Sequence, residues 1–178
     1  MNQPSQELTD HEGTFLALVL RTQPVTAYQV SKIYDESPVS NFNTSKGKIY
    51  PIIRRLIERG LLEKAAVAGD ARGTEQLSCT DAGRVAVRGW VMQLRPSHLV
   101  LEDPLRTKVQ SFDLLSRDER VAWILEAKEA LSGQAERLEA YGAEVEVPFQ
   151  DFVHDNAMRS LRARIDWLDR MLAKLLRG

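Results

Sequence analysis

The stretch TSKGKIYPIIRRLIERG, residues 44–60, decides how the rest of the chain is read. Ile49, Ile52, Ile53 and Leu56 recur at the i, i+3, i+4, i+7 spacing of one buried helix face, and Gly60 stands where a left-handed C-terminal cap is expected. A helix from about residue 44 to residue 59 follows. Pro51 ordinarily breaks such a helix, because its ring presses on the carbonyl four residues earlier and it has no N–H to donate. That earlier residue is Gly47, which leaves the backbone room to adjust, so one irregular helix is expected and not two. Residues 43–59 also carry Lys46, Lys48, Arg54, Arg55 and Arg59 against Glu58 alone, a net +4, in a chain whose formal net charge is −1. Charged surface helices are common, so the cluster gains meaning only from the way it is presented. Within it, Arg54 or Arg55 is expected to pair with Glu58.

Reading outward from this helix, Thr9 and Glu12 form a capping-box pair ahead of a first helix. Phe15, Leu16, Leu18, Val19 and Leu20 make that helix mostly buried, and Gln23-Pro24 ends it. Thr26 caps a second helix over about residues 27–35, with Val30 and Ile33 inward, and residues 37–43 read as a loop. Beyond Gly60, residues 61–67 form a strand, residues 68–73 a turn, and residues 74–79 an alternating strand with Leu77 and Cys79 on one side. Thr80-Asp81 caps a fourth helix to about residue 95, in which Val85, Trp90, Val91 and Leu94 are expected to pack. Three helices followed by a hairpin form the winged helix-turn-helix pattern, whose third helix enters a DNA major groove. The candidate DNA contacts are Thr44, Ser45, Lys46 and Lys48 at the start of that helix, Arg54 further along it, and Arg72 at the hairpin tip. The unpaired backbone donors of a helix N-terminus suit phosphate oxygens as well.

Pro96 and Pro104 bracket a less regular stretch, which divides the chain into residues 1–95 and 96–178. A long helix starting at Ser116 or Asp118 carries Val121, Ile124, Leu131, Ala135 and Leu138 on one face, interrupted by Lys128. After a connector at residues 144–148, Met158, Leu161, Ile165, Leu168, Leu172 and Leu175 are spaced 3, 4, 3, 4, 3, a heptad seam. Such a seam packs within one chain or between two. Two substantial helices in about 80 residues make a marginal core, so a second copy is expected to supply the missing apolar surface, and the seam residues are the candidate dimer interface. The fold class is therefore mainly α: an N-terminal winged helix-turn-helix domain followed by a C-terminal helical, coiled-coil-like dimerisation domain.

Composition sets the outer limits. The chain has 178 residues, 43% hydrophobic and 28% charged, the balance of a globular protein. A single cysteine, Cys79, excludes an internal disulfide framework and a multi-cysteine zinc site. A chain that folds without disulfides fits a reducing, cytoplasmic compartment. No membrane span is expected, and the first ten residues lack the form of a secretion signal. No catalytic constellation and no Gly-rich phosphate loop is present, and Asp151, His154 and Asp155 are a weak metal pattern, so neither an enzyme nor a cofactor is expected.

The run Ser45-Lys46-Gly47-Lys48-Ile49-Tyr50-Pro51-Ile52-Ile53-Arg54-Arg55-Leu56, continuing to Gly60-Leu61-Leu62, resembles the recognition helix of the PadR family of bacterial transcription regulators. Thr80-Asp81-Ala82-Gly83-Arg84 is similar to that family's segment after the wing, and residues 16–28 to its first helix, turn and tyrosine-bearing second helix. Ala27 stands where the family usually has Gly, and Glu75-Gln76-Leu77 replaces an aromatic pair often found in the wing. The resemblance extends over about residues 8–92, and the C-terminal part is similar to the longer, virulence-activator-type members. It implies a homodimer that binds double-stranded DNA at an inverted-repeat operator, most members being repressors and some releasing DNA on binding a phenolic or other small aromatic effector. It also implies a phosphate contact for Tyr28. Trp90, Trp123 and Phe149 are the candidate effector-lining residues. Tyr50 is expected in the core, its hydroxyl reaching a neighbouring helix. The competing reading is a winged-helix module that binds protein and not DNA.

Overall fold

The computed structural model describes residues 7–38, 46–67 and 73–177. Among them the order is α1 (Asp10–Thr22), β1 (Val25–Thr26), α2 (Ala27–Glu36), α3 (Lys46–Glu58), β2 (Leu62–Ala66), β3 (Glu75–Cys79), α4 (Asp81–Met92), α5 (Pro104–Val109), α6 (Arg117–Glu144) and α7 (Gln150–Arg177). The mainly helical class with a small sheet, read from the sequence, is the class the chain adopts. It divides into two compact units, Met1–Val100 and Leu101–Gly178.

Local chemistry sets the ends of the elements in the first unit. Thr9 accepts from the Glu12 N–H while the Glu12 carboxylate accepts from the Thr9 N–H, closing the capping box of α1. Thr26 and Gln29 do the same for α2. At the end of α3, Gly60 has φ +66; its N–H donates to the Ile57 carbonyl at 2.8 Å and that of Leu61 to Leu56 at 2.9 Å. These two bonds are the Schellman arrangement, and its left-handed position is where glycine carries no Cβ penalty. The helix runs unbroken through Pro51.

The sheet has an element the sequence did not reveal. Its order is β1-β3-β2, all antiparallel, with Val25 opposite Leu77 and Leu62 opposite Cys79. Strand β1 is two residues long, between Pro24 and α2, too short to show any alternation. The core of this unit gathers Phe15, Leu16 and Val19 of α1, Val30 of α2, Ile49, Ile52, Ile53 and Leu56 of α3, Leu62 and Leu77 of the sheet and Val87 of α4.

Of the residues expected to pack from α4 and the residues just after it, Trp90 does and the others do not. Val85, Val91 and Leu94 are exposed, while Gly83 and Val87 are buried and Ala86 and Trp90 pack against the core. The reason is a close approach. A Cβ on Gly83 would lie 2.1 Å from the Leu61 carbonyl oxygen and 2.7 Å from Cys79 Sγ. The bare glycine lets α4 sit on the start of the hairpin, and one helical turn later the same face presents Val87. Gly83→Ala should therefore lower stability by about 1–3 kcal/mol through overpacking. Gly89→Ala in the same helix, where a Cβ meets nothing within 4 Å, should stabilise by about 0.5–1 kcal/mol. Urea unfolding of the two variants checks both; equal effects would remove the close approach as the determinant of this face.

Segment 96–100 stays with the first unit because Asp10, at the start of α1, holds it. The Asp10 carboxylate accepts from Trp90 Nε1 at 3.2 Å, lies 3.5 Å from Arg95 Nη1 and 3.0 Å from His98 Nε2. The His98 hydrogen bond, then that of Trp90, takes the Asp10 carboxyl below its ordinary value. Arg95 also donates to the Leu8 carbonyl at 2.7 Å.

In the second unit α6 and α7 pack on each other. Ser116 and Glu119 close a capping box at the start of α6. Ile124 and Leu138 of α6 and Met158 and Leu168 of α7 are buried. Lys128, which interrupts the apolar face of α6, has a partner in Asp169 of α7. Arg117 donates to the Leu175 carbonyl at 2.9 Å, satisfying a backbone oxygen in the last turn of α7. Gly142 accommodates the His154 ring, whose Nδ1 would lie 2.5 Å from a Cβ there.

Candidate nucleic-acid interface

Helix α3 lies on the core by one stripe, Ile49, Ile52, Ile53 and Leu56, and the stripe sorts every other side chain described on it. At about 100° per residue, Tyr50 and Arg54 fall on one flank, Arg55 and Arg59 on the other, and Pro51 opposite. The two flanks have different fates.

On the first flank Tyr50 is 60% exposed. The expectation of a core tyrosine is overturned: the helix rotation carries its ring off the buried stripe. Arg54, four residues on, has a side chain 77% exposed and lies 3.7 Å from Glu58, an i, i+4 pair between two exposed groups. Such a pair contributes about 0–1 kcal/mol, so Arg54 remains a cation open to an anionic partner.

On the second flank the cations are already engaged. Arg55 Nε donates to Glu12 Oε1 at 3.0 Å and Arg59 Nη1 to Glu12 Oε2 at 3.1 Å. Arg59 Nη2 reaches the Glu7 carbonyl at 3.3 Å. The Glu12 side chain is only 5% exposed. Burial pushes its carboxyl up, but the Arg55 hydrogen bond, the Thr9 N–H and the charges of Arg59 and Arg55 outweigh burial and hold it below its ordinary value. The sequence reading placed Glu12 in a cap alone. A signal for its second role was present: a carboxylate on the face of α1 that also carries Phe15, Leu16 and Val19 needs a cationic partner to be buried, and residues 43–59 hold four cations more than they balance.

Lys46 and Lys48 stand in the first turn of α3. Thr44, Ser45 and Arg72 lie outside the described residues. Tyr28, in the first turn of α2, is 67% exposed. Across the hairpin Lys64 pairs with Glu75 at 2.7 Å.

The remaining candidates divide between the units. Trp90, in the first, lies over Gly13 of α1 and is hydrogen-bonded to Asp10. Trp123, in the second, meets Phe112 edge-on at 5.1 Å. Phe149, with φ 62, is exposed beside Phe152, their rings 6.4 Å apart. Of the seam, Met158 and Leu168 are already covered within the chain, whereas Leu161, Ile165, Leu172 and Leu175 are half-buried. Among the described residues no group of three or more His, Cys, Asp or Glu is placed to hold a metal ion, and no helix is long and apolar enough to cross a membrane.

Comparison with known proteins bears on both units. Residues 16–89 match the profile of the Transcriptional regulator PadR-like family. No curated protein sequence matches the chain. Among solved structures, the chain is similar to Bacillus subtilis PadR in complex with operator DNA, with a TM-score of 0.81 and 17% identity over 94% of this chain and 99% of that one. It is also similar to Bacillus subtilis PadR in complex with p-coumaric acid, at TM-score 0.73 and 16% identity over 98% of each chain. The PadR-like regulator BC1756 from Bacillus cereus matches at TM-score 0.75 and 17% identity, over 97% of this chain and 99% of that one. At these identities the likeness is one of fold, and it spans both units.

Proposed function

Residues 16–89 being a PadR-like domain, that of a family of transcriptional regulators and not of enzymes, we propose that the chain is a homodimeric, sequence-specific DNA-binding repressor of transcription. The observation that carries this reading is α3 itself. One stripe is buried in the core, while Tyr50 and Arg54 stand in solvent and Lys46 and Lys48 occupy the first turn. A helix held in this way is what a major groove admits.

In this mechanism Lys46, Lys48 and Arg54 supply phosphate and base-edge contacts, together with Thr44, Ser45 and the wing residue Arg72. Tyr28 supplies a backbone contact from α2. Tyr50 joins this set because it is exposed on the same helix. Two copies paired through α7 would set two recognition helices about 34 Å apart, one turn of DNA, to read an inverted repeat. A small aromatic effector would release the operator only by binding the released form more tightly.

The test is direct. A duplex recovered by selection from a random pool is titrated with the protein at about 50 mM and about 200 mM salt. A DNA reader that neutralises several phosphates loses affinity by orders of magnitude across this range, about 10³-fold or more for six contacts. Failure to enrich any duplex, or affinity indifferent to salt, would leave a winged-helix module that binds protein.

A further inference from the structure

The buried carboxylate of Glu12 gathers two arginines from the helix that would read DNA. Its Oε1 accepts from Arg55 Nε at 3.0 Å, and its Oε2 accepts from Arg59 Nη1 and from the Thr9 N–H, each at 3.1 Å. An ionised group with this little exposure is an expensive choice for holding two helices together. Removing such charges from water costs several kcal/mol per ion, and well-packed apolar residues of similar size do the same work as well or better. On the face of α1 that carries Glu12, Phe15, Leu16 and Val19 are apolar and buried, so a leucine there would extend the same core. What an ion triad adds over a leucine is direction. Apolar packing tolerates a helix that rolls or slides by a fraction of a turn; a carboxylate fixed to its own helix cap and to two donors one turn apart, on α3 and at its C-terminal end, does not.

We propose that Glu12 is a positioning residue for DNA recognition. Through Arg55 and Arg59 it sets the rotation of α3 on α1, and it keeps two cations away from the DNA backbone. The proposal rests on the reading of α3 as a recognition helix. It has two consequences of opposite sign. With Glu12 neutralised, α3 loses its fixed rotation, so the fit to a particular base sequence weakens. The two released guanidinium groups become free to meet any phosphate, so binding without regard to sequence strengthens.

The experiment uses the full-length chain, Glu12→Gln, the selected duplex and an unrelated duplex of equal length, over a salt series. The glutamine variant should bind the selected duplex about three- to thirtyfold more weakly, the range seen for residues that act on a site without touching the ligand. Its affinity for the unrelated duplex should hold or rise. The slope of log affinity against log salt on the unrelated duplex should steepen by about 0.9 for each phosphate newly met. Arg55→Lys serves as the second variant and keeps the molecule foldable if Glu12→Gln does not. It retains the charge but loses the planar fork, and the ratio of the two affinities should again fall. A ratio unchanged in the variant that folds, or two affinities that drop together in step with the folded fraction from urea unfolding, overturns the positioning role and leaves Glu12 as a packing group. If the wild-type chain itself shows no salt-dependent duplex binding, the recognition-helix reading fails first and this proposal falls with it.

Discussion

Replacing Lys46 and Lys48 by alanine is expected to weaken operator binding more than about tenfold while leaving a folded protein of unchanged oligomeric state. Both lysines lie in the first turn of α3, and the apolar stripe that holds this helix begins at Ile49 and continues through Leu56. Truncation at 46 and 48 therefore removes charge and leaves the stripe intact. Alanine is also the best helix former, so the helix itself is not weakened. The loss of affinity should exceed about tenfold and should be nearly uniform across sequences to the extent that the lysines meet phosphates, with the salt slope falling by about 0.9 for each phosphate no longer neutralised. Arg54→Ala tests the further reach of the same helix, since the Glu58 pairing that it gives up is exposed and weak. Electrophoretic mobility shift or fluorescence anisotropy at two salt concentrations measures both effects. If the double lysine variant binds as the wild type does, α3 is not the reading element.

The second large effect is expected at the other end of the chain. In α7, Met158 and Leu168 are buried within the chain, but Ile165 and Leu172 are only half-covered. These two belong to the heptad seam, and their half-covered side chains leave apolar surface that a second copy would cover. If the chain pairs through this seam as proposed, the wild type should sediment as a dimer and the Ile165→Asp, Leu172→Asp variant as a monomer. An operator read by two linked helices should then lose about 10²–10⁴ in affinity, the contribution of linkage itself, without any change to the DNA-facing residues. The circular dichroism of the variant should retain its helical signal, since Ile124, Leu138, Met158 and Leu168 are left in place. A variant that remains dimeric would assign the seam to packing within one chain.

Much of this molecule was legible because its signals are local. Thr9 and Glu12, Thr26 and Gln29, and Ser116 and Glu119 each satisfy backbone donors three residues apart, and Gly60 takes the left-handed position that follows a helix. The exposure of Tyr50 was legible as well, although it was expected inside. Residue 50 lies about 100° from Ile49 on a helix of 3.6 residues per turn, outside the stripe that the isoleucines define; its aromatic character points to the core, and its angle points away from it. Strand β1 was not legible, because two residues cannot show a period and only their pairing with Leu77 and Gln76 makes them a strand.

The same division runs through the candidate interface. The sequence by itself determined that a cationic helix with one apolar stripe follows two others and precedes a hairpin, and that a heptad helix closes the chain. Caps, periods and breakers act over a few residues and need no partner to be expressed. Only the tertiary structure decided which arginines of that helix are held and which are open, by bringing Glu12 to Arg55 and Arg59 from far along the chain. Only it decided that α4 faces inward through Gly83, because the Leu61 carbonyl lies where a side chain would have been. A charge or a glycine carries no mark of its partner, and its meaning is fixed when another element arrives.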